Sequence, residues 1–323
     1  MIMDKLIYVK HSITKKDELF NYTIVFDENL GRGGYGTVFH GILTDHNDYD
    51  RKIQVALKKT NWIDYNEIKI LMYLRKHLGN RKDINYYIDN VYDSNERCLY
   101  LITKYIPNQI SMNNILLNRF SIYEIVIIML NVCIALQYVH SLNISHTDIK
   151  PSNIMINPHT LEIRLIDFGL SCMLPVCKQI IGTLSFLAPE IYIINGDNKD
   201  KFNKKNMLKA DIFSLGATFY SQLNSGNSVY DFYEDCKSIV SNNDYNECII
   251  KNLKLKKQFL LNFVDKDITD IINEMIQIEP DNRPTIDTIV NKLTTILNKY
   301  KSSPIENISI DKELQELLNE KVL

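Results

Sequence analysis

The tightest constraint in this chain is a set of three oxygen-bearing side chains placed around one short predicted hairpin. Asp148 and Asn153 lie in His146-Thr147-Asp148-Ile149-Lys150-Pro151-Ser152-Asn153, and Asp167 opens Asp167-Phe168-Gly169. The runs Ile154–Ile156 and Ile163–Ile166 read as a strand pair joined by the turn Asn157-Pro158-His159-Thr160. An antiparallel pair brings its two ends back together, so an aspartate and an asparagine in one loop face a second aspartate. Such a set supplies one base for a hydroxyl proton and two oxygen ligands for a hard Mg²⁺ ion. Asx turns and caps account for any one of these residues, but poorly for the ordered set.

Composition narrows the classes further. Hydrophobic residues make up 45% of the 323, enough for one large domain or two small lobes. Lys+Arg at 37 nearly cancels Asp+Glu at 39, a net charge of −2. A generic nucleic-acid or membrane-surface binder would carry a positive excess, so neither partner is expected. The apolar run Ile125 to Leu136, interrupted by Asn131, is shorter than the ~20 residues of a membrane span and reads as a buried core helix. The opening Met1-Ile2-Met3-Asp4-Lys5 is too polar for a signal peptide. Six cysteines without a CxxC pair give no zinc or thioredoxin pattern. The expectation is free thiols in a reduced intracellular protein, in the cytoplasm (the host cytoplasm if the chain is viral).

From about Tyr22 to Ile102 the chain is mostly strands. Thr23–Phe26 and Thr37–Ile42 flank a glycine cluster, and Ile53–Leu57 comes after a polar loop. One helix interrupts them, with Asp64 as its N-cap and Ile68, Leu71, Met72 and Leu74 as its apolar positions. Cys98 to Thr103 is a further buried strand, and Pro107-Asn108 breaks the pattern. Beyond it the chain turns helical. Ser121 caps a long apolar helix through His140, and later helices are expected around 211–224, 267–277 and 285–299. Asn195 to Lys209 reads as an exposed Lys/Asn-rich loop, and the tail offers a short amphipathic helix at Asp311–Leu318.

Gly31-Arg32-Gly33-Gly34-Tyr35-Gly36 satisfies G-x-G-x-x-G, and the residues directly after it are strand-like rather than helical. The glycines therefore sit at a hairpin tip, where backbone N–H groups can approach phosphate oxygens; a flexible surface hairpin is the alternative. Val55-Ala56-Leu57-Lys58 is a strand ending in a lysine that needs an anionic partner, and Glu67 on the next helix is the candidate. Taken singly, Lys58 and Glu67 would be ordinary surface charges.

Together these motifs resemble the eukaryotic-type protein kinase superfamily, over about Tyr22 to Tyr300. Ala188-Pro189-Glu190, Asp211-Ile212-Phe213-Ser214-Leu215-Gly216 and Asp281-Asn282-Arg283-Pro284 add to the resemblance, with Arg283 matching the arginine that pairs with Glu190. It implies an α+β, bilobal fold: a small antiparallel β-sheet lobe with one main helix, and a larger, mainly helical lobe. The implied boundaries are an extension at 1–21, a kinase domain at 22–300 and a tail at 301–323. Within the domain, the first lobe is about 22–103, the hinge about 104–108 and the second lobe about 109–300.

The resemblance also implies roles. ATP and Mg²⁺ are the cofactors, with Mn²⁺ as an alternative ion. Leu30, Gly31, Arg32, Gly33, Gly34, Tyr35 and Gly36 cover the nucleotide, and Lys58, held by Glu67, contacts the α- and β-phosphates. Asn153 and Asp167 hold the metal, Asp148 accepts the substrate hydroxyl proton, and Lys150 steadies the γ-phosphate. Val38, Ala56 and Met155 sandwich the adenine, whose edge meets the backbone near Lys104 to Ile106, with Thr103 guarding the deeper pocket. Lys150 and Gly182-Thr183 resemble the serine/threonine class, so the partners are protein substrates with Ser or Thr acceptors. Thr183 is expected to bond near Asp148 and Lys150. Two positions depart from the family: Thr147 stands where arginine is usual and Phe213 where tryptophan is usual. A pseudokinase scaffold and a small-molecule kinase are the rival readings. The first is disfavoured by the presence of Lys58, Asp148, Asn153 and Asp167, the second by Ala-Pro-Glu and its arginine.

Overall fold

Alternating, β-branched runs near the N-terminus pair into one antiparallel sheet. The computed structural model describes residues 6–15, 18–33, 36–45, 48, 50–61, 65–94, 96–175, 182–194, 204–230, 247–248, 251 and 265–302. The chain divides into two compact units, Met1–Asn108 and Gln109–Leu323.

In the first unit, strands β1 (Leu6–Lys15), β2 (Glu18–Gly33), β3 (Gly36–Asp45) and β4 (Lys52–Thr60) precede helix α1 (Tyr65–His77). Strands β5 (Tyr87–Asp93) and β6 (Cys98–Lys104) come next, and the sheet order is β1-β2-β3-β4-β6-β5. Residues 1–21, expected as an extension, thus contribute β1 and the start of β2. Side chains alternate across the sheet. On one face Tyr22, Ile24, Leu43, Val55, Leu57, Tyr100 and Ile102 are buried together. On the other lie the cross-strand partners Val38 and Lys58, His40 and Ala56, Ala56 and Thr103. Full burial of each such apolar side chain contributes about 1.5–3 kcal/mol. One polar pair enters this core: Tyr22 donates its hydroxyl to Asp89 at 2.7 Å. Burial, then the Asp89 charge, pushes the phenol far above its ordinary value, so it stays a donor.

Helix α1 buries Ile70, Leu71 and Leu74, together with Glu67. Met72, expected among the apolar positions, is instead exposed. At ~100° per residue, a stripe through Ile70, Leu71 and Leu74 leaves Met72 on the outer side. Arg75 ties the helix end to β5, donating to the Ile88 carbonyl at 2.7 Å, beside the register shift between Tyr87 and Asp89. Asp64, expected as the cap, lies outside the described residues.

The second unit begins with β7 (Ile110–Ser111) and the long helix α2 (Ile122–Ser141). Ser121 caps α2 with a reciprocal capping box to Glu124. By length and composition α2 could cross a membrane, and half of that apolar stretch is buried inside the protein. Four short strands come after it: β8 (Ile144–Ser145), β9 (Ile154–Ile156), β10 (Ile163–Leu165) and β11 (Cys172–Met173). Together with β7 they form two small sheets, β10-β9-β7 and β11-β8. Further helices among the described residues are α3 (Pro189–Ile194), α4 (Lys204–Leu223), α5 (Lys266–Met275) and α6 (Ile286–Ser302).

Two expectations need correction here. Helix α4 starts at Lys204, so the exposed loop expected through Lys209 is helical in its last part. Met207 and Lys209 are buried there, and the Lys209 ammonium is satisfied by the Arg283 carbonyl. Cys98 and Cys133 are free and buried, but Cys172 and Cys248 are in disulfides, against the expectation of free thiols throughout. Residues 195–203 and the helix expected at Asp311–Leu318 lie outside the described residues.

Candidate active site

The first unit carries one half of the predicted set. Gly31 pairs with Val38, Arg32 with Thr37 and Gly33 with Gly36, so the glycine cluster is a strand-to-strand tip. Leu30 and Arg32 are exposed, whereas Gly34 and Tyr35 lie outside the described residues. At Gly36, φ is +144°, and a Cβ there would run into the Lys59 carbonyl of the neighbouring strand. Only glycine permits that approach.

Lys58, near the end of β4, donates to Glu67 Oε1 at 3.1 Å and Oε2 at 3.3 Å. Glu67 is 8% exposed, so its charge depends on that ammonium. Val38 and Ala56 are half-buried on the same face as Lys58, and Thr103 donates its hydroxyl to the Ala56 carbonyl at 3.4 Å. Lys104 is exposed and donates its N–H to the Tyr86 carbonyl, and Ile106 is half-buried.

The second unit carries the other half. The β9–β10 pairing matches Ile156 with Ile163 and Ile154 with Leu165, and Ile166 N–H donates to the Asn153 carbonyl at 2.9 Å. That bond brings the two ends of the hairpin together. Asp148 is 5% exposed and densely held. Its Oδ1 accepts Thr183 N–H at 3.0 Å and the Thr183 hydroxyl at 2.8 Å. Its Oδ2 lies 2.8 Å from Lys150 Nζ and 3.1 Å from Asn153 Nδ2. Lys150 also donates to Thr183 Oγ1 at 2.7 Å, closing a ring of three residues to which Asn153 is joined through Asp148. Gly182 packs so tightly that a Cβ would sit 2.9 Å from the Thr147 carbonyl. Met155 is half-buried on β9, between the buried Ile154 and Ile156.

Thr147 and Asp167 adopt left-handed backbone, with φ of 62° and 59°. Aspartate tolerates this region, but a β-branched residue there is strained and must be held. Asp211 on α4 does the holding. Its carboxylate accepts the N–H groups of His146 and Thr147, both at 2.8 Å, besides Ser145 Oγ and His140 Nε2. His146 in turn links the two motifs. Its Nδ1 faces Asp148 N–H, its Nε2 faces the Ile166 carbonyl, and its ring packs on Phe168 at 4.9 Å. Arg283 grips Glu190 through both carboxylate oxygens, at 2.6 and 2.7 Å, and lies over the Phe213 ring.

For a hard cation, the chemistry of the donors fits. Asn153 spends its amide nitrogen on Asp148, leaving its amide oxygen as the ligand atom, and Asp167 offers a half-buried carboxylate. A second cluster, Asp93, Glu96 and Cys98, gathers ligand atoms on the β5–β6 hairpin, but Lys59 already binds Glu96. Arg75 and His40 carry no local sequence signal for their contacts, and Tyr105 was legible only as part of the Lys104–Ile106 backbone. Asp211 was legible only as the first residue of the Asp211-Ile212-Phe213-Ser214-Leu215-Gly216 motif.

The protein kinase domain family matches residues 24–293 of this chain. A serine/threonine-protein kinase of Acanthamoeba polyphaga mimivirus is 34% identical over 218 residues, covering 64% of this chain and 71% of the viral protein. The serine/threonine-protein kinase nek3 of Dictyostelium discoideum is 27% identical over 252 residues, covering 75% of this chain and 20% of that protein. Calcium-dependent protein kinase 5 of Plasmodium falciparum is 28% identical over 320 residues, covering 96% of this chain and 50% of the relative. The chain therefore spans most of the viral relative but half or less of the other two.

Proposed function

The chain belongs to the protein kinase family, in its serine/threonine class, and from that premise we propose how its residues transfer the γ-phosphoryl group of ATP to Ser or Thr hydroxyls of protein substrates. The family uses ATP with a divalent metal; Mg²⁺ is our assignment for the ion, because its ligands here are oxygens.

The observation that carries the reading is the ring of Asp148, Lys150 and Thr183, with Asn153 bound to Asp148. Asp148 is the base: its carboxylate is held on both oxygens, and it takes the proton of the attacking hydroxyl. Lys150, 2.8 Å from that carboxylate, neutralises charge on the γ-phosphate as it moves. Thr183 fixes both of them in one orientation, so that positioning rather than covalent chemistry supplies the rate. Asn153 and Asp167 hold the metal ion, which when bound neutralises phosphate charge. In the first unit, Lys58 is poised by Glu67 to bind the α- and β-phosphates, and the β2–β3 tip covers them. Val38, Ala56 and Thr103 receive the adenine.

The test is transfer from labelled ATP·Mg²⁺ to generic protein substrates and to the chain itself, with wild type beside Asp148→Asn. Phosphoserine or phosphothreonine from wild type, with turnover in the variant lower by about 10²–10⁴, is the expected result. Wild-type turnover in Asp148→Asn would overturn the base assignment. Nucleotide binding without any transfer would favour a scaffold.

A further inference from the structure

The sheet face that carries Val38, Ala56 and Thr103 extends one residue further on two strands. His40 lies two residues beyond Val38 and directly opposite Ala56, and Tyr105 lies two beyond Thr103. Their rings meet edge to face, with centroids 4.7 Å apart and planes at 68°. Gln54 binds both partners. Its backbone carbonyl accepts Tyr105 N–H at 3.1 Å, and its side-chain oxygen lies 3.3 Å from His40 Nε2.

We propose that His40 is a positioning residue for the nucleotide base: through Tyr105 it fixes the Lys104–Ile106 backbone against which the adenine edge rests. The proposal rests on the reading of that segment as the adenine site. The chain is leaving the sheet at this point. Lys104 N–H is bound to Tyr86 and Tyr105 N–H to Gln54, and Pro107, two residues on, has no N–H to continue a ladder. The ring contact therefore adds a hold on the segment from its side-chain face, beside the two backbone bonds. A segment held in its bound geometry loses less freedom when the base docks, so the effect falls on affinity and not on the chemical step.

The experiment is calorimetric titration of the full chain with adenosine and with ADP, beside ATP kinetics, for wild type, His40→Ala and His40→Phe. His40→Ala is expected to weaken both ligands by the same factor, about threefold to tenfold, the range an edge-to-face pair converts to. KM for ATP rises by that factor while kcat at saturating ATP stays within about twofold. His40→Phe keeps the ring edge and restores binding to within about twofold of wild type. Unchanged binding in His40→Ala, or a His40→Phe variant as weak as the alanine one despite an unaltered melting temperature, overturns the proposal. A fall in kcat without a change in affinity also overturns it. Wild type that fails to bind adenosine at all overturns the adenine-site reading itself, a result separable from the others.

Discussion

Asp211 accepts the backbone N–H of Thr147 at 2.8 Å, and Thr147 is the left-handed residue directly before Asp148. A helix that carries no reacting group thus sets the backbone from which the proposed base projects. The same carboxylate binds His146 N–H, so two consecutive peptide planes are fixed by one buried charge. Strain at a β-branched residue costs about 1–3 kcal/mol, and charge-assisted bonds of about 1.5–3 kcal/mol each offset it.

Asp211→Asn is the direct test of this support. The amide has a single oxygen and places an NH2 group where the second oxygen was, so one N–H is orphaned, and we expect a loss of about 3–5 kcal/mol of stability with a drop in kcat. Burial raises the Asp211 pKa, but the hydrogen bond and charge of His140, the His146 charge and Thr147 N–H together bring it below the ordinary carboxylate value. A depressed folded pKa gives stability above the unfolded pKa of about 3.9 that is lost as pH falls through the folded one. The advantage of wild type over Asp211→Asn should therefore shrink only below about pH 4. Melting temperature against pH for both proteins checks it.

Glu67→Gln removes the charge that positions Lys58 while keeping the shape. Loss of a charge-assisted contact worth about 1.5–3 kcal/mol predicts a kcat/KM lower by about ten- to a hundredfold. Steady-state kinetics beside a thermal melt separate this from misfolding. Equal kcat/KM in a folded variant would mean that the 3.1 Å contact between Lys58 and Glu67 does not matter to turnover.

Thr183 donates to Asp148 and accepts from Lys150, so its hydroxyl is what couples the two. Thr183→Ser keeps that hydroxyl and should hold kcat within about threefold, whereas Thr183→Ala should lower it about tenfold or more, the equivalent of ~1.4 kcal/mol. Nucleotide affinity measured by titration should be the same in both. An alanine variant with wild-type kcat would remove Thr183 from the positioning ring.

Arg283 is 2% exposed, paired with Glu190, and also donates to the carbonyls of Gln277, Ile278 and Lys209. Arg283→Met leaves Glu190 and three carbonyls without their donor. The expected loss is about 3–5 kcal/mol, or roughly 10 °C in melting temperature for a domain of this size. Differential scanning calorimetry reads both values, and a melt within two or three degrees of wild type would contradict it.

Legibility in the sequence tracked the range of the interactions. The Asp148, Asn153 and Asp167 set was readable because a short hairpin must return its ends to one place, and Ile166 N–H to Asn153 does that. The β2–β3 tip was readable because Thr37 and Val38 are β-branched, and a strand rather than a helix comes after the glycines. Contacts between residues far apart in sequence were legible only where the family resemblance supplied them, as for Arg283 with Glu190 and Thr183 with Asp148. Asp211 reaches back to Thr147, and Tyr22 finds Asp89, with no local pattern to announce either pair. Lys209 looked like a solvated charge in a Lys/Asn-rich run, because burial of its ammonium depends on Arg283, remote in sequence. The contact between His40 and Tyr105 escaped for the same reason: it exists only once β3, β4 and β6 are in register.

The residue at 147 carries a last prediction, about control. The kinase family usually places arginine there, a cation that can gather a phosphorylated activation segment. Thr147 has no charge to offer, and its hydroxyl is already committed to the Leu170 carbonyl at 2.5 Å. Asp148 meanwhile takes its support from Thr183, Lys150 and Asn153, none of which needs a phosphate. Enzyme stripped by phosphatase should therefore keep its turnover to within about twofold of untreated enzyme, since the phosphate-to-arginine attraction that would distinguish the two is missing. Mass spectrometry to confirm dephosphorylation, and then initial rates, check this. Near-complete loss of activity, restored by autophosphorylation, would show that another cation has taken over that role.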